Sequence, residues 1–490
     1  MKRKIYDRLL EWKNSRSGST ALLIEGARRV GKSYIAEEFG RNEYDSYLLI
    51  NFGKVGRSVR DLFDDLTDIP LMLQKLSSLM RVKLHERRSL IIFDEVQKFP
   101  RAREVIKFLV EDGRYDYIET GSLISIHENV KDIIIPSEEE TINMYPMDFE
   151  EFCWALGDEV TVPLIREHFE KREPLGSDLH RSVLNQFRKY MLVGGMPMAV
   201  DAYARTSDFS KAEEAKRLVI DLYREDISKK SKKNKLRTMK LFDAIPSELS
   251  KHDKRVILSD IDENGRMSNY DEPIYWLEDS MIANTCYNTT VPNVGLNLNT
   301  DLGSVKVYMG DTGLLVSLAI DENETIEHDV YNSILNDKLH INEGMFMENM
   351  VAQILRANGH RLFFHSFYKD GAKNRYEVDF LIRNGKKIEP IEVKSSGYAS
   401  HSSLDCLMDR YSKTLGQPYI LYSKDLRKEG NILFLPLYMA ICLRGRSIWR
   451  VSYNPASGVR ADRGSAASGT MVRSEYLVLG WRSRGTSLLI

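Results

Sequence analysis

Short unbroken apolar runs alternate with amphipathic stretches along the first 120 residues. Ile5, Leu9 and Trp12 recur at helical spacing, so residues 3–13 predict a helix with one apolar stripe. The run Ala21-Leu22-Leu23-Ile24-Glu25 ends in a glycine-containing loop, the pattern of a strand buried on both faces. Ser89-Leu90-Ile91-Ile92-Phe93 is a second such run, and Tyr115 to Thr120 a weaker third. Helical patterns lie between, among them Ser33 to Phe39 and Ala102 to Val110. Strand and helix in alternation predict βαβ units around a parallel sheet.

The pattern changes near residue 145. Residues 160–245 read as charged and mostly helical, and 245–320 as short helices mixed with turn residues such as Asn264-Gly265. A new α/β unit begins near 340, with a helix over Glu348 to Ala357 and a strand over Leu362 to His365. Glu377–Ile382 and Ile388–Val393 flank Asn384-Gly385 and predict a hairpin. No internal repeat is visible.

Composition narrows the class. The 490 residues are 42% hydrophobic and 29% charged, which excludes wholesale disorder and suits about three domains. Lys+Arg is 70 against Asp+Glu 71, so a uniformly basic nucleic-acid coat is excluded. Cys153, Cys286, Cys406 and Cys442 are scattered without metal-ligand spacing, which fits a reducing cytoplasm. The apolar run Ile432 to Leu443 is short of the ~20 residues of a spanning helix and contains Pro436, so no membrane is expected. The lysines at 229, 230, 232, 233 and 235 read as a solvated helix face rather than a phosphate grip. Residues 446–490 contain no Lys but seven Arg, and read as a disordered or non-native tail without function.

The chemistry-bearing motif is Gly26-Ala27-Arg28-Arg29-Val30-Gly31-Lys32-Ser33, which matches GxxxxGK[ST]. A triphosphate needs a ring of donors, and backbone N–H groups supply it only from a tight turn that Gly26 and Gly31 permit. Lys32 would reach the outer phosphates and the Ser33 hydroxyl would hold Mg²⁺. Tyr34 completes the nucleotide-binding stretch, and the helix that starts here favours an anion at its N-terminus. Downstream, Leu90-Ile91-Ile92-Phe93 ends in Asp94-Glu95. A strand's carboxyl end faces the ligand crevice of an α/β sheet. Asp94 would hold Mg²⁺, and Glu95 would polarise the attacking water. Thr120-Gly121-Ser122 follows a third apolar run, and Ser122 is expected to sense the γ-phosphate or to position water. Arg101, Arg103 and Arg224 are candidates for an arginine finger.

GARRVGKS, LIIFDEVQKFP, ETGS, MYPMDFEEF and LVGGMP occur in this order over residues 26–197, and KVYMGDTGLL follows at 306–315. Together they resemble the prokaryotic AAA-type ATPases that carry a C-terminal domain of unknown function. The resemblance runs over about residues 1–445. It implies ATP binding and hydrolysis, a helical lid after the MYPMDF block, and a winged-helix-like region holding residues 245–249 and 276–282.

Asp379, and Glu392 with Lys394, form a D…ExK arrangement. Glu392 and Lys394 share a strand face, and a hairpin would set Asp379 beside them. Two carboxylates could hold Mg²⁺, Glu348 could add a third, and the lysine could orient water. The arrangement resembles the PD-(D/E)XK nuclease fold.

The expected fold is thus α/β. A P-loop NTPase sheet domain spans 1–145, a helical lid 146–205, and a helical and winged-helix-like region 206–325. A restriction-endonuclease-like α/β unit spans 326–445. The expected function is Mg-dependent ATP hydrolysis coupled to nucleic-acid handling, with ATP and Mg²⁺ bound and DNA or another protein as partner. The alternative is a nucleotide-gated switch whose nuclease-like unit is inactive. A small-molecule kinase is disfavoured, since Asp94-Glu95 suits water activation.

Overall fold

The computed structural model describes residues 1–445 apart from 17, 122–137, 230–231, 263–264, 321–330, 332–342, 369–374 and 396–400. The expected tail therefore lies outside the described residues.

Helix α1 (Ile5–Arg16) leads into β1 (Ala21–Glu25), α2 (Lys32–Glu43) and β2 (Ser46–Asn51). Two helices, α3 (Arg57–Arg60) and α4 (Ile69–Met80), precede β3 (Ser89–Asp94). Then come α5 (Arg101–Asp112), β4 (Asp116–Thr120) and β5 (Glu139–Asn143). The strands form one parallel sheet in the order β2-β3-β4-β1-β5. Side chains alternate across it. Leu22, Ile24, Leu90, Ile92 and Ile118 enter one core, whereas Leu23, Ile91, Phe93 and Tyr117 enter another. Burial on both faces is why these strands read as unbroken apolar runs. Truncating Ile92 to alanine would cost about 2–5 kcal/mol.

Helices follow: α6 (Phe149–Ala155), α7 (Thr161–Lys171), α8 (Ser177–Val193), α9 (Pro197–Thr206) and α10 (Phe209–Ser228). Next are α11 (Lys232–Ser250), α12 (Leu258–Ile261) and α13 (Met267–Asp279). Short helices and turns are present here as expected, but two strands that the sequence did not suggest follow. Strands β6 (Ala283–Thr289) and β7 (Thr300–Met309) pair antiparallel, and α14 (Thr312–Ala319) follows. The polar residues Asn284, Thr285, Asn288 and Thr289 of β6 are buried, which hides the strand from apolar periodicity.

The C-terminal part runs α15 (Glu343–Ala357), β8 (Leu362–Tyr368), β9 (Arg375–Val378), β10 (Phe380–Asn384) and β11 (Lys387–Val393). It ends with α16 (Ser402–Arg410), β12 (Tyr419–Tyr422), β13 (Arg427–Glu429) and β14 (Ile432–Pro436). The hairpin around Asn384-Gly385 is present, and one sheet runs β10-β11-β12-β14-β13. Strands β7-β6-β8-β9 form another.

Three of the recurrent motifs meet at one joint. Gly195 N donates to Asp311 Oδ2, and Met147 N to Gly195 O at 2.7 Å. A Cβ on Gly195 would lie 2.1 Å from Met147 O, and one on Gly194 2.2 Å from Asp311 Oδ1. Backbones this close admit only glycine. LVGGMP, MYPMDF and DTGLL are thus packing motifs that hold the helical region against the first sheet. Among the described residues no helix is long and apolar enough to cross a membrane.

Candidate functional site

The loop between β1 and α2 is stitched at its entry, where Met144 N donates to Glu25 O at 2.7 Å. A Cβ on Gly26 would lie 2.3 Å from Met144 O, so that position tolerates no side chain. Gly31 turns the chain into α2 at φ +100, a left-handed conformation that favours glycine. Exposed Arg29 also sits at positive φ, +70, an uncommon and costly conformation for a side-chain-bearing residue. Two carbonyls of the loop are pinned from outside. Arg3 Nη1 donates to Val30 O at 2.8 Å, and the Tyr223 hydroxyl to Arg28 O at 3.3 Å. The first amides of α2 have no partner within their own helix, which leaves them for an anion.

Lys32 curls back onto the loop and donates to Gly26 O at 2.8 Å and Ala27 O at 2.9 Å. Burial pulls its pKa down to about 8, against the attraction of Glu95 and Asp94. Its charge is met by neutral carbonyls, and a phosphate would supply the missing counter-charge.

The acids arrive through strand register. Asn51, Asp94 and Thr120 align across β2, β3 and β4, with Ile24 of β1 next to Thr120. All four lie at or beside the carboxyl ends of their strands. Asp94 is buried and three side chains converge on it. Ser33 Oγ donates to its Oδ1 at 2.6 Å, Thr120 Oγ1 donates to the same atom, and Asn51 Nδ2 donates to Oδ2. A hydroxyl beside a carboxylate is a hard-oxygen donor set that suits Mg²⁺, and the expected pair Ser33 and Asp94 is thus brought together. Glu95 stands next in line at φ +59, and Gln97 Nε2 donates to its Oε2 at 2.6 Å.

Other expected residues are placed differently. Ser122 lies outside the described residues. Tyr34 is exposed, and its hydroxyl accepts from the Met1 amine at 3.1 Å. Arg28 turns away from the loop to Asp226 of α10, at 2.9 Å. Arg103 is no arginine finger, since it is buried with Glu139 at 2.6 Å and Glu119 at 3.6 Å. Arg101 is held by Phe63 O and Glu104, and Arg224 by Asp243. Lys229 pairs with Glu225 and Asp226, as a solvated helix face predicts. Lys230 lies outside the described residues.

Sequence reading missed Asn51 and Thr120 as partners of Asp94. Each is a polar residue closing an apolar strand, the one local signal that could have found them.

In the C-terminal part the register sets Phe380 opposite Ile391, which brings Asp379 beside Glu392 and Val393. Val393 N donates to Asp379 Oδ2 at 2.8 Å, and Lys394 pairs with Glu392. A lysine also reaches the acids expected to hold a metal. Lys306 of β7 is fully buried, with Nζ 2.7 Å from Glu377, 3.3 Å from Glu348 and 3.8 Å from Asp379. Lys254 and the Tyr308 hydroxyl also reach Glu348. An ammonium thus stands beside Glu348 and Asp379, two of the expected carboxylates, while Glu392 pairs with Lys394. Among the described residues no group of three or more His, Cys, Asp or Glu is arranged to hold a metal ion. Burial and the neighbouring Glu348 raise the Asp379 pKa to about 7, against the attraction of Lys306. For Lys306 burial is outweighed by Glu348, Glu377 and Asp379, which hold its pKa well above the usual lysine range.

The family model of an AAA domain matches residues 18–153. Two domains of unknown function, DUF8612 and DUF4143, match residues 184–325 and 343–439. No curated protein matches the chain. Among solved structures, a Walker-type ATPase of Pyrococcus abyssi is 18% identical, with 65% of this chain and 96% of that one covered at a TM-score of 0.39. The structure of Drosophila ORC bound to DNA is 11% identical, with 62% and 92% covered at 0.26. C. elegans PCH-2 is 9% identical, with 46% and 66% covered at 0.21. These scores are too low to carry an argument. The family match and the site's geometry agree on an AAA-type, P-loop ATP-binding ATPase domain in the N-terminal part of the chain.

Proposed function

We propose that this chain is a magnesium-dependent ATPase. Its loop 26–33 binds the triphosphate, Ser33 and Asp94 hold the metal, and Glu95 activates water. The observation that carries the reading is the Ser33–Asp94 contact of 2.6 Å beside a lysine that lacks a matching anion. Magnesium supplies charge neutralisation between phosphate oxygens. The chain's own residues do the rest. Loop amides and Lys32 bind and orient the phosphates. Asn51 and Thr120 fix the Asp94 carboxylate. Gln97 holds one Glu95 oxygen, so the carboxylate is oriented to take a proton from water.

Lid, winged-helix-like and nuclease-like units are part of the same reading. The matched stretches 18–153, 184–325 and 343–439 support at least three units. Three helices, α11 to α13, followed by the β6–β7 hairpin, support a winged helix. The exposed residues Asp271, Glu272 and Tyr275 of α13 make a poor surface for phosphate, which speaks against that helix entering a DNA groove. For the C-terminal unit, Lys306 among the carboxylates favours the inactive alternative. We therefore infer a nucleotide-gated switch in which ATP turnover governs binding of a partner rather than strand cleavage. A reducing cytoplasm is the proposed location.

The test is ATP turnover with and without Mg²⁺. Glu95→Gln should retain ATP binding and lose hydrolysis, and Lys32→Ala should lose both. Full turnover by Lys32→Ala would overturn the site. Plasmid cleavage that Asp379→Ala abolishes would overturn the inactive reading.

A further inference from the structure

Arg28 belongs to the phosphate loop, yet its side chain is engaged elsewhere. Nη1 lies 2.9 Å from Asp226 Oδ1 and 4.0 Å from Glu225 Oε2, near the C-terminal end of α10. Lys229 Nζ also reaches Asp226, at 3.0 Å, so Asp226 is shared between two cations. Tyr223, one turn earlier on α10 and almost fully buried, donates to the Arg28 carbonyl. One helix therefore holds both the backbone and the side chain of a single loop residue. α10 carries a second anchor 13 residues earlier. There Glu213 meets Lys216 at 3.1 Å, the Ser317 hydroxyl of α14 at 2.7 Å, and the Tyr331 hydroxyl.

We propose that Asp226 is a positioning residue that acts as an internal anion on Arg28, in competition with the nucleotide's phosphates. The inference rests on the reading of loop 26–33 as a triphosphate site. A bound triphosphate adds several negative charges within reach of a loop arginine, and a guanidinium suits phosphate as well as carboxylate. The two anions cannot both hold the Arg28 fork in full. Asp226 thus lowers nucleotide affinity in the resting chain, and phosphate binding loosens the Arg28 contact with α10. Since α10 ends on the loop and is anchored at Glu213, the contact gives the switch a physical link between the nucleotide and the middle of the chain.

The test is fluorescence titration of the full chain with MgATP carrying a methylanthraniloyl label. Asp226→Asn should bind about fivefold more tightly than the parent, the scale of a partly exposed ion pair. Asp226→Glu should restore the parental affinity, and Arg28→Ala should weaken binding. In the Arg28→Ala background, Asp226→Asn should change nothing. A merely structural aspartate would weaken binding when replaced and would do so with or without Arg28. Unchanged or weaker binding by Asp226→Asn, with its melting temperature retained, overturns the inference. No binding by the parent chain would instead overturn the triphosphate site itself.

Discussion

Two lysines set among acids divide this molecule. Lys32 and Lys306 are both drawn into the protein beside carboxylates, yet their pKa values move in opposite directions. Lys32 is held by two carbonyls and falls to about 8. Lys306 touches Glu348 and Glu377, has Asp379 at 3.8 Å, and rises well above the usual range. A lysine short of negative charge marks a place where an anion belongs. A lysine with its charge matched is already satisfied, and the acids around it are spent. Acids and lysines close in space therefore do not by themselves make a site. The balance of charge separates the open cluster from the closed one.

The largest effect should come from opening that comparison at Lys32. Lys32→Ala removes the loop lysine proposed to bind the outer phosphates, and turnover of MgATP should fall by about 100-fold or more. Steady-state phosphate release measures it. Lys306→Ala should leave ATP binding alone and destabilise the fold, because buried carboxylates lose their cation. A loss of about 3–5 kcal/mol is expected in urea unfolding. If Lys306→Ala is neutral, the closed cluster is not charge-matched and the comparison fails.

A third buried pair sharpens the point through pH. Burial would raise the Glu213 pKa, but Lys216 and the Tyr331 and Ser317 hydroxyls pull it down to about 2. Its unfolded value lies near the ordinary 4.5. The folded state thus binds fewer protons than the unfolded state between these values. The stability from Glu213 is complete above about pH 5 and is lost as pH falls toward 2, about 3 kcal/mol from this group. Denaturant melts at pH 5 and pH 3 should therefore differ more for the parent than for Glu213→Gln.

What was legible in the sequence follows from distance along the chain. The phosphate loop is local, with its glycines, lysine and serine inside eight residues. Asp94 ends an apolar run, and Asn384-Gly385 fixes a hairpin by turn chemistry alone. Lys306 was invisible because its partners lie 42 or more residues away, on α15 (Glu348), on β9 (Glu377) and between β9 and β10 (Asp379). The β6–β7 hairpin was missed because buried asparagines and threonines break the apolar pattern. Asn288 finds its partner across the sheet, where its Oδ1 accepts from Ser366 N at 3.2 Å. A buried polar residue with a distant partner looks like a loop residue from the chain alone.

Asn51 is the subtlest member of the open cluster and gives the smallest predicted effect. It donates to Asp94 Oδ2, while Ser33 and Thr120 donate to Oδ1, so each carboxylate oxygen has a fixed partner. If Asp94 serves the metal, the orientation that Asn51 imposes matters most when Mg²⁺ is scarce. Asn51→Ala should raise the Mg²⁺ concentration needed for half-maximal ATP turnover by about tenfold, the lower end for loss of a partner behind a metal ligand. The rate at saturating Mg²⁺ should change far less. Asn51→Asp places a second carboxylate against Asp94 and should behave differently, with extra negative charge that draws the cation while it repels the triphosphate. If Asn51→Ala lowers the rate equally at all Mg²⁺ concentrations, Asn51 serves the sheet rather than the metal. The row Asn51–Asp94–Thr120 would then be a packing feature at the strand ends, as the Lys306 cluster is in its own sheet.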